Sequence, residues 1–203
     1  MIRILCADIQ SANAYTYEKL YGQSSPERRA RADRYLRYED KVRCVTADAL
    51  LRTALGTGDF RTEKNGQGKP RLEGYENLNF FYNLSHSGRY VVLAHGKGEI
   101  GVDVQEHDTG VDRMAVAEQR FAPDEQAYVG RSIRRFYEIW TGKESYLKYT
   151  GEGLRRDMRS FSIFGVDPAV RCLPCLSDDG YSLSLCAADP EYTFELLDIR
   201  QLR

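Results

Sequence analysis

In the first part of the chain, the spacing of apolar residues predicts a strand followed by helices. Ile2–Ile9 is a short apolar run that predicts a β-strand. Ser25-Pro26-Glu27 predicts a helix start, because serine caps an N-terminus, proline suits the first helical position and an acid favours the positive end. A helical repeat then ends at Gly56 and comprises Val42, Val45, Ala49 and Leu50.

The middle of the chain predicts three strands. Asn79–Leu84 and Arg89–His95 are expected to pair, with a turn around Ser85–Gly88 between them. Glu99–Gln105 alternates apolar and polar residues, which is typical of a strand with one polar face.

The last third of the chain combines one long helix with further strands. The helix is predicted from its cap, Ser132, to just before Gly151. Three later segments predict strands, at Phe161–Val166, Tyr181–Ala187 and Tyr192–Leu197. The chain as a whole therefore predicts a mixed structure of helices and strands.

A short internal repeat suggests how these elements are organised. Ala7-Asp8-Ile9-Gln10 matches Val102-Asp103-Val104-Gln105, and each Asp is followed, 18 or 20 residues later, by a proline with an acidic neighbour. A charged helical stretch follows each proline. A duplication would give two similar halves of about 100 residues each, whereas four-residue matches also arise by chance.

Composition excludes several classes of protein. The chain has 203 residues, 42% of them hydrophobic, and 29 basic against 30 acidic side chains, so its net charge is -1. This balance argues against a disordered chain, a nucleic-acid coat and a polybasic membrane anchor. The apolar runs are far shorter than a membrane helix, and the first residues lack a signal-peptide core, so we expect a cytoplasmic protein.

The five cysteines agree with that location, because their number is odd and reduced thiols are expected in the cytosol. Cys172-Leu-Pro-Cys175 is open to two interpretations as a site, a redox dithiol or half of a zinc site. The turn-forming residues that follow favour a third interpretation, a hairpin.

The average charge conceals a segregation along the chain. Residues 26–71 hold 12 basic and 7 acidic side chains, whereas residues 99–144 hold 10 acidic and 6 basic ones. The two segments are either solvated helix faces or places where a polyanion and a cation dock.

Three residues of the acidic segment are candidates for a metal site. Asp103 and Gln105 share one face of a strand, and Mg²⁺ prefers oxygen ligands of this kind. Glu144 offers a third oxygen group and lies four residues before Lys148, in line with the apolar stripe of its helix. The alternatives are a solvent-facing strand and a surface ion pair.

The predicted turn Asn83–Gly88 is a candidate phosphate site. It places a hydroxyl, an imidazole and backbone N–H groups at a strand end, an arrangement that suits phosphate. A polar turn with a hydrogen-bonded histidine is the alternative.

In combination, these motifs resemble a known family. Gly101-Val102-Asp103, followed by Trp140–Ser145 and Lys148, resembles the paired signature of the 4′-phosphopantetheinyl transferases. Asn83–Gly88 is similar to an element of the longer, surfactin-synthetase-activating type, as are Ser25–Arg29 and Gly68-Lys69-Pro70. The resemblance spans about residues 1–190.

The resemblance implies a fold and an activity. The fold is α+β, a pseudo-dimer of two similar halves with the active site in the cleft between them, here residues 1–98 and 99–203. The activity is that of a holo-[acyl-carrier-protein] synthase. The 4′-phosphopantetheine arm of coenzyme A passes to a serine of an apo acyl- or peptidyl-carrier protein, and adenosine 3′,5′-bisphosphate leaves. A monomer is expected, with no nucleic-acid or membrane partner.

The resemblance also implies roles for individual residues. Asp103, Glu144 and Lys148 are the expected catalytic residues, and Mg²⁺ is expected on Asp103, Gln105 and Glu144. The residues expected to bind coenzyme A are Arg28, Arg31, Arg43, Gly68, Lys69, Ser85 and His86. Many relatives have a second acid where this chain has Gln105, so metal affinity is in question at that position.

Two other functions remain open at this stage. One is a different metal-dependent phosphotransfer enzyme that uses Asp103 and Glu144 on a nucleotide, with water as acceptor. The other is a non-catalytic module that binds coenzyme A or a carrier protein.

Overall fold

The computed structural model describes residues 1–64, 66, 69–74, 79–189 and 191–202. Gly68, an expected coenzyme A contact, lies outside the described residues. The described strands are β1 (Ile2–Asp8), β2 (Thr62–Lys64), β3 (Pro70–Leu72), β4 (Phe81–Ser87), β5 (Tyr90–Gly96), β6 (Ile100–Glu106), β7 (Val170–Leu173), β8 (Tyr181–Ala187) and β9 (Tyr192–Asp198). The described α-helices are α1 (Ala14–Gln23), α2 (Pro26–Asp33), α3 (Tyr38–Leu55), α4 (Arg113–Arg120), α5 (Pro123–Val129) and α6 (Ile133–Thr150).

The predicted helix ends are confirmed. The Ser25 side chain accepts a hydrogen bond from the backbone N–H of Arg28, with Pro26 at the first position of α2. The Ser132 side chain caps α6 in the same way. Gly56 and Gly151 follow α3 and α6 with φ of +70° and +77°, a left-handed conformation that glycine adopts without steric cost.

Two halves of the chain repeat one arrangement of elements. The first half forms a sheet in the order β4-β5-β1, and the second forms a sheet in the order β7-β8-β6, with antiparallel neighbours in both. An 18-residue helix packs on each sheet, α3 on the first and α6 on the second. This repetition confirms the predicted α+β pseudo-dimer.

The last strand of the second half belongs to the sheet of the first. β9 pairs in parallel with β1, from Ile2 opposite Tyr192 to Asp8 opposite Asp198. One strand from the second half of the sequence therefore lies in the sheet of the first half. The predicted boundary between residues 98 and 99 stays a prediction.

The two sheets and the two long helices form four layers, and the apolar core consists of three clusters. The middle cluster lies between the two sheets and contains residues from both, including Ile4, Val92, Val102 and Leu183. A second cluster lies between the first sheet and α3, and a third packs α6 against α4, α5 and the segment around Phe161, while α6 itself lies on β6 and β8. The order of layers is therefore helix, sheet, sheet, helix. Among the described helices, none has the length and apolar character needed to cross a membrane.

The edges of the two sheets meet through side chains. Asn83, Ser85 and Ser87, alternate residues of β4, accept hydrogen bonds from alternate backbone N–H groups of β6. The distances are 2.9 Å from Val102 N to Asn83 Oδ1, 3.2 Å from Val104 N to Ser85 Oγ and 3.1 Å from Glu106 N to Ser87 Oγ. These bonds explain why the predicted turn at Ser85–Gly88 is wrong. The strand continues through its polar residues, and the turn is Gly88-Arg89.

The predicted strand at Phe161–Val166 is also wrong. Its backbone groups bond to buried charged side chains instead of a neighbouring strand. The Ile163 N–H donates to Glu125 Oε1 at 2.8 Å, and the Phe161 carbonyl accepts from Lys143 Nζ at 2.6 Å. The strand of this region is β7, whose Cys172 precedes a 3₁₀ helix, Pro174–Asp179, that leads into β8. The cysteine pair thus lies at a hairpin, and both thiols are free.

A buried ion pair fixes α6 to the second half. Lys143 and Glu125 are both fully buried, with Lys143 Nζ 2.7 Å from Glu125 Oε2. Lys143 also donates to the carbonyl of Met158, and Glu125 accepts from the N–H of Ala122. Every strong donor and acceptor of this pair is therefore satisfied.

We predict that Lys143→Met lowers the free energy of unfolding by about 3–5 kcal/mol, because it leaves the Glu125 carboxylate buried without its cation. Urea unfolding monitored by circular dichroism measures the change. Arg134→Ala, which removes a largely exposed partner of Glu138, is the control and should cost at most ~1 kcal/mol. Equal unfolding midpoints for Lys143→Met and the wild type would contradict the structural role of the pair.

Candidate functional site

The close packing of α6 on β6 brings the expected catalytic residues together. Gly101 makes that approach available, because a Cβ at this position would lie 1.8 Å from the backbone oxygen of Ser145. Asp103 lies two residues after Gly101 on the same face of β6, so it also faces α6. Glu144 and Lys148 lie one helical turn apart on that helix, and Lys148 contacts Asp103.

The Asp103 carboxylate is buried and accepts hydrogen bonds from three sides. Asp103 as a whole is 2% exposed. Lys148 Nζ and Ser85 Oγ both lie 2.7 Å from Asp103 Oδ1, while Gln105 Nε2 lies 3.3 Å from Oδ2. Lys148 also donates to the backbone oxygen of Val102 at 3.1 Å. The donors come from both halves, since Ser85 belongs to the first and Lys148 to the second.

Glu144 completes a pair of carboxylates with Asp103. Burial of its carboxyl group, together with the Asp103 charge, raises the pKa of Glu144 above its ordinary value, and the Lys148 charge partly opposes the shift. Among the described residues, none donates a hydrogen bond to the Glu144 carboxylate. The Glu144 carboxylate thus lies beside another carboxylate with only the partial compensation that the Lys148 charge gives it.

The donor set fits a small divalent cation. Asp103 and Glu144 supply carboxylate oxygens and Gln105 supplies an amide, which are ligands that Mg²⁺ accepts. A cation between them would relieve the cost of keeping the raised-pKa carboxylate of Glu144 ionised. Within the described part of the chain, no group of three His, Cys, Asp or Glu side chains is placed to hold a metal ion, so this donor set has two carboxylates and one amide.

His86 lies on the other face of β4 from Ser85, close to basic residues. His86 is exposed, and partial desolvation of its ring, together with the charges of Arg43 and Lys148, lowers the pKa of His86. Arg31 adds a smaller effect of the same sign. The structure therefore brings His86, Arg31 and Arg43 into one basic neighbourhood beside Lys148.

These arginines differ in their freedom to meet a ligand. Arg31 is exposed on α2, whereas Arg43 donates to Asp40 at 2.7 Å and to the backbone oxygen of Gly88. Beside this hairpin is an open groove of about 720 Å³, lined in part by Arg43, Gly88 and Glu106.

Two other expected coenzyme A contacts are engaged inside the protein. Arg28 Nε lies 3.4 Å from the buried Asp48 carboxylate. Lys69 is 9% exposed, and its ammonium donates to Glu99 Oε2 at 2.7 Å and to the backbone oxygens of Ile100 and Tyr149. Lys69 thus links the first half to the second. To bind a nucleotide, its ammonium would have to give up one of these hydrogen-bond partners.

Sequence reasoning missed the link between Ser85 and Asp103. The alternation of Asn83, Ser85 and Ser87 is a signal of period two that could have indicated one polar strand face. The partner of that face, β6, could not be identified from the alternation. The packing role of Gly101 had no signal beyond the residue itself.

Comparisons with known proteins show which proteins the chain is similar to. The model of the 4′-phosphopantetheinyl transferase superfamily matches residues 99–192, which include β6 and α6. The chain is 28% identical to the 4′-phosphopantetheinyl transferase Sfp of Bacillus subtilis strain 168, over 86% of this chain and 87% of that protein. It is also 28% identical to the 4′-phosphopantetheinyl transferase psf-1 of Bacillus pumilus, over 93% and 91%.

A third relative matches a shorter region more closely. The putative 4′-phosphopantetheinyl transferase slr0495 of Synechocystis is 34% identical over 64% of this chain and 58% of that protein. With the repeated α+β halves, these findings make the chain similar to a family of group-transfer enzymes. It resembles the 4′-phosphopantetheinyl transferase superfamily, and the long matches to Sfp and psf-1 make it similar to the longer, Sfp type.

We predict that Glu144→Gln raises the melting temperature of the metal-free protein at pH 7. A carboxyl whose pKa is raised on folding opposes folding wherever it is ionised, and this cost disappears as the pH falls through the raised pKa. The gain from the variant should therefore shrink in acid. Calorimetry in EDTA at several pH values measures it.

Glu118→Gln makes the same change at an exposed position of α4 and should leave the melting temperature nearly unchanged. A Glu144→Gln protein that melts below the wild type at pH 7 would contradict the electrostatic account of the site.

Proposed function

We propose that this protein transfers the 4′-phosphopantetheine group of coenzyme A to a serine of an apo acyl- or peptidyl-carrier protein. The reaction depends on Mg²⁺ and releases adenosine 3′,5′-bisphosphate. The observation that carries the proposal is the juxtaposition of Asp103, Glu144 and Lys148 on β6 and α6, inside the region that matches the family.

The reaction exchanges one phosphorus–oxygen bond for another. The oxygen of the carrier serine forms a bond to the β-phosphorus of coenzyme A, and the bond from that phosphorus to the bridging oxygen of the pyrophosphate breaks. Adenosine 3′,5′-bisphosphate leaves with the bridging oxygen. The serine proton must be removed and the charge on the leaving group must be stabilised.

Glu144 is the proposed general base. Its raised pKa makes it a stronger base than an ordinary glutamate. Its partial exposure leaves it open to the carrier serine.

Lys148 is the proposed electrostatic stabiliser. The 2.7 Å contact with Asp103 Oδ1 and the 3.1 Å contact with the Val102 oxygen hold its ammonium in place, and its side chain is 27% exposed. A fixed cation that needs no reorganisation is effective at neutralising the oxygens of a transferring phosphate.

Asp103, Glu144 and Gln105 would hold the Mg²⁺ ion. When bound, the ion neutralises pyrophosphate oxygens and makes the phosphorus easier to attack. Asp103 contributes its charge from a buried position, where electrostatic interactions are less screened by water than at the surface.

The basic neighbourhood of His86, Arg31 and Arg43 is the proposed site for the remaining phosphate, the 3′-phosphate of coenzyme A. Arg28 and Lys69 support the surrounding structure through Asp48 and Glu99 unless coenzyme A replaces those partners. Because two halves of one chain supply the site, we propose that a monomer is sufficient for activity.

We predict that Glu144→Gln and Lys148→Ala each reduce carrier loading by at least ~100-fold, the usual scale for a general base or a positioned charge. The assay incubates each protein with coenzyme A, Mg²⁺ and an apo carrier protein, followed by intact mass measurement. The wild type should add one phosphopantetheine arm. Arg134→Ala, remote from the site, serves as the control for expression and folding.

The same assay separates the alternative functions. Hydrolysis of coenzyme A without a mass gain on the carrier would identify a phosphodiester enzyme that uses water. Binding of coenzyme A with no turnover would identify a non-catalytic module. Loading at the wild-type rate by either variant would overturn the roles assigned to Glu144 and Lys148.

We predict that Gln105→Glu lowers the Mg²⁺ concentration for half-maximal activity by roughly tenfold, because ligand charge is one of the factors that set cation affinity. A Mg²⁺ titration of the loading rate measures this. Gln119→Glu adds the same charge at an exposed position and should leave the titration unchanged. If the Gln105→Glu and wild-type titrations coincide, residue 105 does not contact the metal.

A further inference from the structure

The turn between β4 and β5 packs directly against the second half. Gly88 opens this turn with a φ of +51°, a conformation that glycine adopts without steric cost. A Cβ at Gly88 would clash with the hydroxyl oxygen of Tyr181 and lie 2.5 Å from Glu106 Oε2. Glycine is therefore required at this position both for the conformation of the turn and for its contact with the second half.

Tyr181 joins the two halves through its hydroxyl group. The hydroxyl oxygen accepts a hydrogen bond from the backbone N–H of Arg89 at 3.1 Å, and the hydroxyl donates to the Glu106 carboxylate. Tyr181 is 3% exposed, and its ring packs edge-on against Tyr90 with 4.8 Å between the ring centroids. The hydroxyl is therefore held by packing and by Glu106, which lies opposite Tyr181 in the pair of β6 and β8.

The peptide group that Tyr181 contacts is the same one that Arg43 contacts. The backbone oxygen of Gly88 and the backbone N–H of Arg89 belong to a single planar peptide group. Arg43 donates to that oxygen from α3, while Tyr181 accepts from that N–H. Because the group is rigid, a rotation that breaks its bond to Tyr181 also moves the oxygen relative to Arg43. The position of Arg43 therefore depends on Tyr181 through one peptide group.

Arg43 belongs to the basic neighbourhood of the proposed phosphate site. Its charge and that of Lys148 both act on His86. Arg43 also donates to Asp40 at 2.7 Å, and its side chain is 16% exposed. A guanidinium group has five N–H donors, so the bonds to Gly88 and Asp40 orient Arg43 and leave donors for a phosphate.

We propose that Tyr181 is a positioning residue for Arg43 and thereby sets the preference of the protein for coenzyme A over 3′-dephospho-coenzyme A. Tyr181 acts through the peptide group of Gly88 and Arg89 and not by contact with the phosphate. This inference rests on the proposed function, because that function supplies the 3′-phosphate and assigns it to the basic neighbourhood.

The experiment compares Tyr181→Phe with the matched variant Tyr137→Phe. Both variants keep a buried ring and lose a hydroxyl that accepts from a backbone N–H, but the partner of Tyr137 is Asp108 and not the turn. Arg43→Ala and the double variant of Tyr181→Phe with Arg43→Ala complete a thermodynamic cycle. Calorimetry measures the affinity of each protein for coenzyme A and for 3′-dephospho-coenzyme A, with Mg²⁺ and without carrier protein.

We expect Tyr181→Phe to weaken coenzyme A binding by about 3- to 10-fold, the scale of one hydrogen bond. Its affinity for 3′-dephospho-coenzyme A should be nearly unchanged, and Tyr137→Phe should match the wild type for both compounds. In the Arg43→Ala background, Tyr181→Phe should change the coenzyme A affinity by less than about twofold, because the two residues act through one contact and their effects are not additive.

Three results would overturn the inference. One is an unchanged affinity of Tyr181→Phe for coenzyme A. Another is an equal loss of affinity for both compounds, which would assign Tyr181 a general structural role. The third is additive effects of Tyr181→Phe and Arg43→Ala. If Tyr181→Phe does not fold, Gly88→Ala takes its place, because it displaces the same turn from the side of the first half.

Binding without a carrier protein separates this inference from the proposed function. A wild type that prefers coenzyme A in binding but loads no carrier contradicts the proposed function, while the cycle still decides the role of Tyr181. A wild type that binds both compounds equally contradicts the assignment of the 3′-phosphate to the basic neighbourhood and this inference with it.

Discussion

The structure depends on hydrogen-bond acceptors for the backbone N–H groups along the edge of β6 that does not pair with β8. One edge of β6 pairs with β8, and the N–H groups of Val102, Val104 and Glu106 point the other way. A buried N–H without an acceptor costs about 1–3 kcal/mol. Side chains of β4 accept these bonds, so the sheet edges meet without merging into one continuous sheet. The bond from Val104 N to Ser85 Oγ places Ser85 beside Asp103. The hydrogen bonds that join the two sheet edges therefore also set the geometry of the site.

Two lysines of α6 show how exposure decides what an ammonium group can do. Lys143 is fully buried against Glu125, with carbonyl groups at its remaining protons, so it has nothing left to offer a ligand. Lys148 lies little more than one turn further along and is 27% exposed beside Asp103. It is near enough to solvent for a phosphate to approach and is held firmly enough to lose little entropy when one binds. The two lysines have the same charge and lie on the same helix, but their surroundings place one in the core and leave the other partly exposed to a ligand.

The features predicted correctly from the sequence are those whose causes are local. The caps at Ser25 and Ser132, the terminating glycines and the polar face of β6 all follow from residues a few positions apart. The errors at Ser85–Gly88 and Phe161–Val166 arise from partners far along the chain. Ser85 Oγ bonds to the backbone 19 residues away, and the Ile163 N–H bonds to a side chain 38 residues away. Periodicity cannot reveal such partners, because they become neighbours only after the two halves pack.

The repeat between the halves also explains why the described residues form this carboxylate pair in the second half and not in the first. A shift of 95 residues takes Asp8 to Asp103, the first residue of α3 to the first residue of α6, and Gly56 to Gly151. The same shift places Ala49 and Thr53 of α3 where α6 has Glu144 and Lys148.

Asp8 has a carboxylate at the position that corresponds to Asp103, but it pairs with Arg89 of the same half, and α3 has Ala49 at the position of Glu144. The first half therefore repeats the fold without the carboxylate and the ammonium that α6 supplies at Glu144 and Lys148. It contributes β4 instead, whose side chains cover the edge of β6. Asn83, Ser85 and Ser87 accept hydrogen bonds from the β6 backbone, and Ser85 also donates to Asp103.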